Sequence, residues 1–252
     1  MQEIITEISS LESVDLKGLD KVSLQSRRDT KFIFAQSKLA RVLQELNKSY
    51  YILEIDGNRN FTYENIYFDT AGYDLYLKHH NGKLNRYKVR KRKYVESNQV
   101  FLEVKFKTNK RRTEKSRLKG SQFNPEFDER DKKLILKSTP FQPAELSPSV
   151  NISFTRLTLA HKNFMDRATL DFNLIARWND HEHAFQNLVI AEIKQDKFSV
   201  GSAFIKVMRA LKIPEMRISK YCMSILHTRE NMKYNRFKPR MLKLNRIANG
   251  NV

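Results

Sequence analysis

The sequence has little cysteine, proline and glycine, and these shortages exclude several classes of protein. Its one cysteine, Cys222, cannot form an internal disulfide or a multi-cysteine zinc site. Six prolines and seven glycines are too few for a collagen-like or low-complexity chain. No apolar run approaches the ~20 residues of a membrane helix, and residues 1–16 lack the pattern of a secretory signal. We therefore expect a globular, soluble, cytoplasmic protein with no membrane span.

Acidic residues are also in short supply, since 28 Asp and Glu stand against 47 Lys and Arg, a net charge of +19. The excess is concentrated in two regions. Residues 86–119 contain 14 basic and three acidic residues, and residues 206–252 contain 12 basic and two acidic residues. This distribution indicates an anionic partner, such as a nucleic acid, an anionic membrane surface or a phosphorylated ligand. Two solvated charged faces are the alternative.

The basic residues of 86–119 follow a strand period. Side chains alternate between the two faces of a strand, so basic residues at every second position share a face. Three segments, 86–92, 100–107 and 111–119, each have one cationic face by this rule. The repeating positions of the first segment are Arg86, Lys88, Arg90 and Arg92. Neighbouring cationic faces repel unless something neutralises them, and a concave surface that holds a polyanion would do so.

The rest of the pattern predicts a mainly β protein of the α+β class. Further strands are expected at 27–34, 50–56, 61–70, 151–160, 166–174 and 188–196. Helices are expected at 37–47, 128–138, 199–213 and 218–226, the last capped by Ser219. Because polar strand faces cannot form an ordinary core, we expect an antiparallel sheet of about eight strands that curls or closes into a channel or a ligand-holding barrel. Its polar interior would form a tunnel, and flanking helices would cover its apolar outside.

Two Glu-x-Lys pairs, Glu103-Val104-Lys105 and Glu192-Ile193-Lys194, each place a carboxylate and an ammonium group on one strand face. Such a pair is either a surface ion pair or a Mg²⁺ or Mn²⁺ ligand beside a phosphate-binding lysine. Arg156 and Arg167 also share strand faces with polar residues, and a guanidinium group suits phosphate oxygens. Ordinary surface arginines would give the same pattern. No P-loop or dinucleotide motif is present.

Eight short motifs, in this order, make the chain similar to a known family. They are RRDTKF (27–32), YFDT (67–70), KVRKRKY (88–94), FLEVKFK (101–107), SFTRLTL (153–159), RATLDFN (167–173), IAEIK (190–194) and SKY (219–221). The series resembles the VTC domain, the polyphosphate polymerase domain of the vacuolar transporter chaperone complex. That domain belongs to the triphosphate tunnel metalloenzyme, or CYTH-like, superfamily. The resemblance covers about residues 27–226, nearly the whole chain.

The resemblance implies a closed antiparallel β-barrel tunnel lined by Lys and Arg. The tunnel would bind ATP or another nucleoside triphosphate, polyphosphate and pyrophosphate. A polymerase of this kind moves the terminal phosphate of ATP onto a growing chain with Mn²⁺ or Mg²⁺. The catalytic residues carried over by position are Lys31, Arg90, Arg92, Lys105, Arg156, Arg167 and Lys220. Lys88, Lys115 and Lys194 would join them in binding phosphate, and Glu192 and Glu103 would bind the metal.

The resemblance also divides the chain into an N-terminal arm (1–26), a tunnel domain (27–228) and a basic C-terminal tail (229–252). The tail has few apolar anchors, so we expect it to be partly disordered. Three other functions remain open: hydrolysis of triphosphate in the same tunnel, a polyphosphate sensor without turnover, and binding of nucleic acid. Regular alternation favours an enclosed channel over an open platform, so nucleic acid is expected to bind only as a non-specific polyanion.

Overall fold

The computed structural model describes residues 2–20, 28–110, 112–120, 122–195 and 201–250. Within these ranges the strands are β1 (Ser13–Val14), β2 (Arg28–Ala35), β3 (Tyr50–Leu53), β4 (Phe61–Asp69), β5 (Arg86–Tyr94), β6 (Gln99–Lys107), β7 (Thr113–Gly120), β8 (Ser147–His161), β9 (Asp166–Trp178), β10 (His181–Phe185) and β11 (Leu188–Gln195). The helices are α1 (Gln2–Ser10), α2 (Leu16–Asp20), α3 (Leu39–Leu46), α4 (Asp74–His80), α5 (Glu129–Ser138), α6 (Ala203–Ala210), α7 (Lys220–Thr228) and α8 (Lys238–Ala248). No described helix has the length and apolar character needed to cross a bilayer.

All the strands join one sheet, whose main path runs β2-β11-β9-β8-β4-β5-β6-β7 with antiparallel neighbours. The prediction of a mainly antiparallel sheet with flanking helices is confirmed. Of the segments that the sequence pattern left unassigned, α4 and β10 are regular elements. Ser219 caps α7 as predicted, because its Oγ accepts a hydrogen bond from the Cys222 backbone N–H at 3.3 Å.

The prediction of a closed barrel is wrong, because the sheet is curled but open. Among the described residues no pairing joins the two end strands, β2 and β7. The outer edge of β2 is already used: Phe32 bridges to Glu215, and the Met216 N–H donates to the Lys31 carbonyl at 2.9 Å. At the other end β7 is mostly exposed and offers no continuous apolar row to bury by closing the sheet.

The apolar strand positions lie on the outer face of the sheet, as the alternation predicts. Helices α3 and α6 bury Leu43 and Met208 against β2, β8, β9 and β11, with Ile193 among the buried residues. Helix α5 covers the outer face of β5 and β6, where Ile135 packs with Val104. These three helices cover the outer face, and the polar side chains of the strands lie on the other face of the sheet.

A buried ion pair also attaches α5 to the outer face. Lys91 of β5 meets the Asp131 carboxylate at 2.9 Å, and both side chains are buried. Asp128 caps the same helix by accepting from the Asp131 N–H at 2.8 Å. Because Lys91 is bound to α5, its neighbours Arg90 and Arg92 are directed to the opposite face.

The C-terminal segment is folded over residues 238–248, which corrects the expectation of disorder there. Phe237, Leu244 and Ile247 are buried in the cluster that also contains Ile33 and Ile190. Those two isoleucines lie two residues along β2 and β11 from Lys31 and Glu192. The polar face is therefore apolar at one end, where α8 packs against it.

Candidate functional site

The basic side chains of β5, β6 and β7 lie side by side on the inner face of the curled sheet, which we call the concave face. Lys88, Lys105 and Lys115 form one cross-strand row. Arg90 and Glu103 form the next row, joined by hydrogen bonds of 2.5 and 2.7 Å from the guanidinium to one carboxylate oxygen. Like charges in adjacent strands destabilise a sheet, so this arrangement has a cost that a bound anion would offset.

The other half of the concave face contains two clusters in which one carboxylate serves two cations. In the first, Glu192 of β11 accepts from Lys31 through one oxygen and lies 2.6 Å from Lys194 through the other. In the second, Asp171 of β9 receives a two-pronged contact from Arg156 at 2.5 and 2.7 Å. Lys220 of α7 contacts the same carboxylate.

Curling of the sheet and the start of α7 bring the two halves together. Strands β2 and β5 are not neighbours in the sheet. Burial lowers the pKa of Lys88 most, and the charge of the nearby Lys31 lowers it further. The Lys88 ammonium also donates to the Ser219 hydroxyl at 2.9 Å. The next residue, Lys220, reaches Asp171. The SKY motif therefore bridges the two sides of the concave face.

The register places the whole predicted set of basic residues on this face. Arg167 lies opposite Lys194, and the set is Lys31, Lys88, Arg90, Arg92, Lys105, Lys115, Arg156, Arg167, Lys194 and Lys220. The predicted metal ligands Glu103 and Glu192 belong to different ion pairs, Glu103 of β6 with Arg90 and Glu192 of β11 with Lys31. The described residues contain no group of three His, Cys, Asp or Glu side chains suited to a metal ion.

Several residues of the site were not among the predicted ones. Asp171 shares a strand face with Arg167 and Thr169, so alternation alone could have identified it. Three side chains of β4 also face inward: Tyr63, Asn65 and Tyr67. Asn65 accepts from Arg92 at 2.8 Å, and the Tyr67 hydroxyl accepts from Arg90 at 2.9 Å.

The aromatic rings of the site hold the guanidinium groups in place. The Tyr63 ring lies 5.0 Å from Arg92 and 4.9 Å from Arg156. Tyr67 stacks on Tyr221 of α7 at 5.1 Å. Planar guanidinium groups fixed by rings and amides lose little freedom when they bind phosphate, which is the condition for preorganised anion recognition.

Every described carboxylate in these clusters is held in its ionised form. Burial would raise the pKa of Glu103, but the neighbouring Arg90 and Arg92 lower it to about 2. The pKa of Asp171 and that of Glu192 are also below their usual values, because their cationic partners outweigh the effect of burial. These groups are poor proton acceptors at neutral pH.

Two lysines of the concave face, Lys105 and Lys220, have pKa values below the usual value of a lysine. Their surroundings therefore disfavour the charged form of the side chain. Arg90 is the largest influence on Lys105, and together with burial and Lys115 it holds the pKa of Lys105 well below its usual value. Within the described part of the chain, Lys105 has no hydrogen-bond or ion-pair partner. Burial lowers the pKa of Lys220 to about 8 despite the nearby Asp171 carboxylate.

A match to a known protein family covers the residues of this site. Residues 26–228 match the model of the VTC domain. The chain belongs to the VTC domain family. This membership confirms the resemblance drawn from the eight motifs and supports a triphosphate-tunnel enzyme that acts on phosphate compounds. No curated protein matches the chain.

Solved structures of low identity are similar to this member of the VTC domain family. A Vibrio parahaemolyticus protein described as a candidate adenylate cyclase is 12% identical, with a TM-score of 0.48, over 79% of this chain and 99% of its own. A conserved hypothetical protein from Pyrococcus furiosus is 13% identical, with a TM-score of 0.42, over 77% and 99%. A Hippeastrum protein described as a candidate adenylyl cyclase with a dominant triphosphatase activity is 12% identical, with a TM-score of 0.45, over 84% and 95%.

Proposed function

We propose that the protein is a phosphotransferase of the polyphosphate polymerase type. It binds a nucleoside triphosphate and a polyphosphate chain on the concave face and transfers the terminal phosphate to the chain end. The observation that supports binding is the excess of cations on the concave face, where the ten basic side chains outnumber the carboxylates and Lys105 forms no ion pair within the described residues. A phosphate chain carries about one negative charge per unit and would supply the missing charge along the whole face.

The state of the carboxylates favours transfer to a phosphate chain over hydrolysis. A general base that accepts a proton from the attacking water assists hydrolysis, but Glu103, Asp171 and Glu192 are ion-paired, with pKa values below their usual range. The terminal oxygen of a polyphosphate chain is already anionic and needs no general base. Positioning and charge neutralisation then suffice for the reaction.

In this mechanism the chain-end oxygen attacks the γ-phosphorus of the triphosphate. The bond from that phosphorus to the β–γ bridging oxygen breaks, and the nucleoside diphosphate leaves. Arg90, Arg92 and Arg156 neutralise charge on the oxygens of the transferred phosphoryl group, because their guanidinium groups are fixed by Glu103, Asn65 and Asp171. Lys31, Lys88 and Lys220 surround the start of α7, where the two halves of the face meet.

A divalent cation, Mn²⁺ or Mg²⁺, fits the site only with phosphate oxygens among its ligands. Glu192 is the carboxylate that would hold it, and both its oxygens now contact lysines. These ions commonly use one or two protein carboxylates and complete their shell with water and phosphate. When bound, the metal supplies further neutralisation of the phosphate charge. We therefore expect the Glu192→Gln variant to lose the increase in turnover that Mn²⁺ gives to the wild type.

Incubation with ATP and Mn²⁺, followed by gel electrophoresis for polymer and assay of ADP, tests the proposal. The wild type should form a polyphosphate ladder, and Arg90→Ala/Arg92→Ala should lose it. The control is Lys132→Ala/Lys133→Ala on the exposed side of α5, which removes the same charge. A double arginine variant as active as the wild type would contradict the assignment of the concave face. Free phosphate as the only product would indicate a hydrolase, and tight binding without product a sensor.

A further inference from the structure

A second groove lies on the outer face of the sheet, on the far side of β5–β7 from the concave face. It consists of two adjoining cavities of about 630 and 490 Å³. Both cavities are lined by Tyr87, Phe106, Glu114 and Pro140, and we call them together the outer groove. Phe106 follows Lys105 in β6, so the two side chains point to opposite faces and the outer groove is separate from the proposed phosphate site.

The floor of the outer groove is an aromatic ladder that ends at Phe106. Phe141 meets the Tyr87 ring edge-on at 6.1 Å, and Tyr87 stacks on Phe106 at 4.4 Å with the rings 12° from parallel. The next position across the sheet is Glu114 of β7, which is exposed. Among the described residues no second ring contacts Phe106. A flat ring could therefore extend the ladder on the β7 side.

The walls of the outer groove are cationic. The β6–β7 turn contributes Lys110 and Arg112 to the larger cavity, and α4 contributes Lys78. The smaller cavity has Lys137 at the end of α5. Within the described chain none of these four side chains forms an ion pair. A ligand that matches the groove thus has a flat ring for Phe106 and an anionic group for the turn.

We propose that the outer groove binds a nucleoside phosphate, with the base stacked on Phe106 and the phosphate on Lys110 and Arg112. Cavities of this size hold ligands of this kind, and stacking on an aromatic ring accepts any base. The Glu114 carboxylate and the Ser116 hydroxyl are among the polar groups that line the groove. They supply hydrogen-bond partners for the edge of a base or for a ribose.

Calorimetric titration of the full chain with ADP in the presence of saturating tripolyphosphate tests this site. Tripolyphosphate has no base and, under the proposed function, occupies the concave face, so ADP binding that persists belongs to a second site. Phe106→Leu should weaken that binding about tenfold or more, because the stacked ring is lost. Phe106→Tyr should retain it, since an aromatic ring is kept.

Lys110→Ala/Arg112→Ala, in the exposed turn, should also weaken the persisting ADP binding and reduce its salt dependence. Lys132→Ala/Lys133→Ala, with the same change in charge, should leave it unaltered. This variant pair tests the site even if Phe106→Leu fails to fold. Loss of all ADP binding in tripolyphosphate, or persisting binding that is unaltered in both Phe106→Leu and the turn variant, would overturn the proposal.

The titration rests on the proposed function in one respect, the occupation of the concave face by tripolyphosphate, and an arginine variant separates the two proposals. Arg90→Ala/Arg92→Ala should remove only the ADP binding that tripolyphosphate displaces. If that variant left both fractions unchanged, the concave face would be wrong as the phosphate site, while the outer groove would still stand.

Discussion

The two halves of the concave face differ in how their charges are balanced. In the half built from β2, β8, β9, β11 and α7, which we call the paired half, Asp171 and Glu192 each hold two cations. In the half built from β5, β6 and β7, the open half, Glu103 serves Arg90 while Lys105 has no described partner. The paired half is held in shape by the protein itself. In the open half a bound anion would supply further counter-charge for Lys105, which forms no ion pair within the described residues.

Removing a carboxylate from the paired half should lower the stability of the protein more than any other substitution. Asp171→Asn leaves Arg156 and Lys220 without their carboxylate, and removing one partner of a buried pair typically costs about 3–5 kcal/mol. We expect the free energy of unfolding, measured in urea, to fall by about 3 kcal/mol. Glu182→Gln, which breaks the exposed pair with Arg177, should change it by less than about 1 kcal/mol. Equal effects would mean that the two pairs are equally solvated.

Removing a cation from the open half should raise the stability of the protein, not lower it. Lys105→Met removes a cation that Arg90 and burial destabilise, so the free energy of unfolding of the protein without ligand should rise. The same variant should bind tripolyphosphate about tenfold more weakly, because a charge-assisted hydrogen bond is lost. Denaturation and calorimetry measure the two effects.

The matched control for that variant is Arg156→Met in the paired half. It removes the cation that contacts both oxygens of Asp171, so it should lower stability as well as tripolyphosphate affinity. If both methionine variants changed stability in the same direction, the distinction between the halves would be lost.

A smaller effect should appear in the pH dependence of binding. The pKa of Lys220 is lowered to about 8, chiefly by burial, whereas a bound polyanion favours its protonated form. Tripolyphosphate should therefore bind more weakly as pH rises above about 8, where the free protein loses this proton. Lys220→Arg keeps its charge at these pH values. The ratio of wild-type to Lys220→Arg affinity should fall between pH 7 and 10, and a constant ratio would show that Lys220 does not meet the ligand.

The local alternation of residues was enough to predict the direction of the side chains on β5 and β6. Strand geometry fixes the faces of Arg90, Arg92 and Lys105 whatever the rest of the chain does. The family motifs added Lys31 and Lys220 to the same face, which alternation in separate segments could not do. Alternation places Asp171 on the face of Arg167 and Thr169, but its contacts with Arg156 and Lys220 depend on strand register and on the packing of α7, which the local pattern does not contain.

Closure of the sheet depends on contacts that no local pattern contains. The edge of β2 is bonded by Glu215 and Met216, which lie almost 200 residues further along the chain. Helix α8 did have a visible signal, since Phe237, Met241 and Leu244 are spaced by four and three residues. Its many basic residues concealed that period, and the apolar end of the concave face was therefore not anticipated.

A crystal structure of the protein with tripolyphosphate tests the central claim most directly. We predict phosphate density on the concave face, with oxygens within about 3 Å of the Lys105 ammonium and the Arg92 guanidinium. Ordered tripolyphosphate found only on the outer face or along α8, with Lys105 still without a partner, would contradict the assignment of the concave face as the phosphate site.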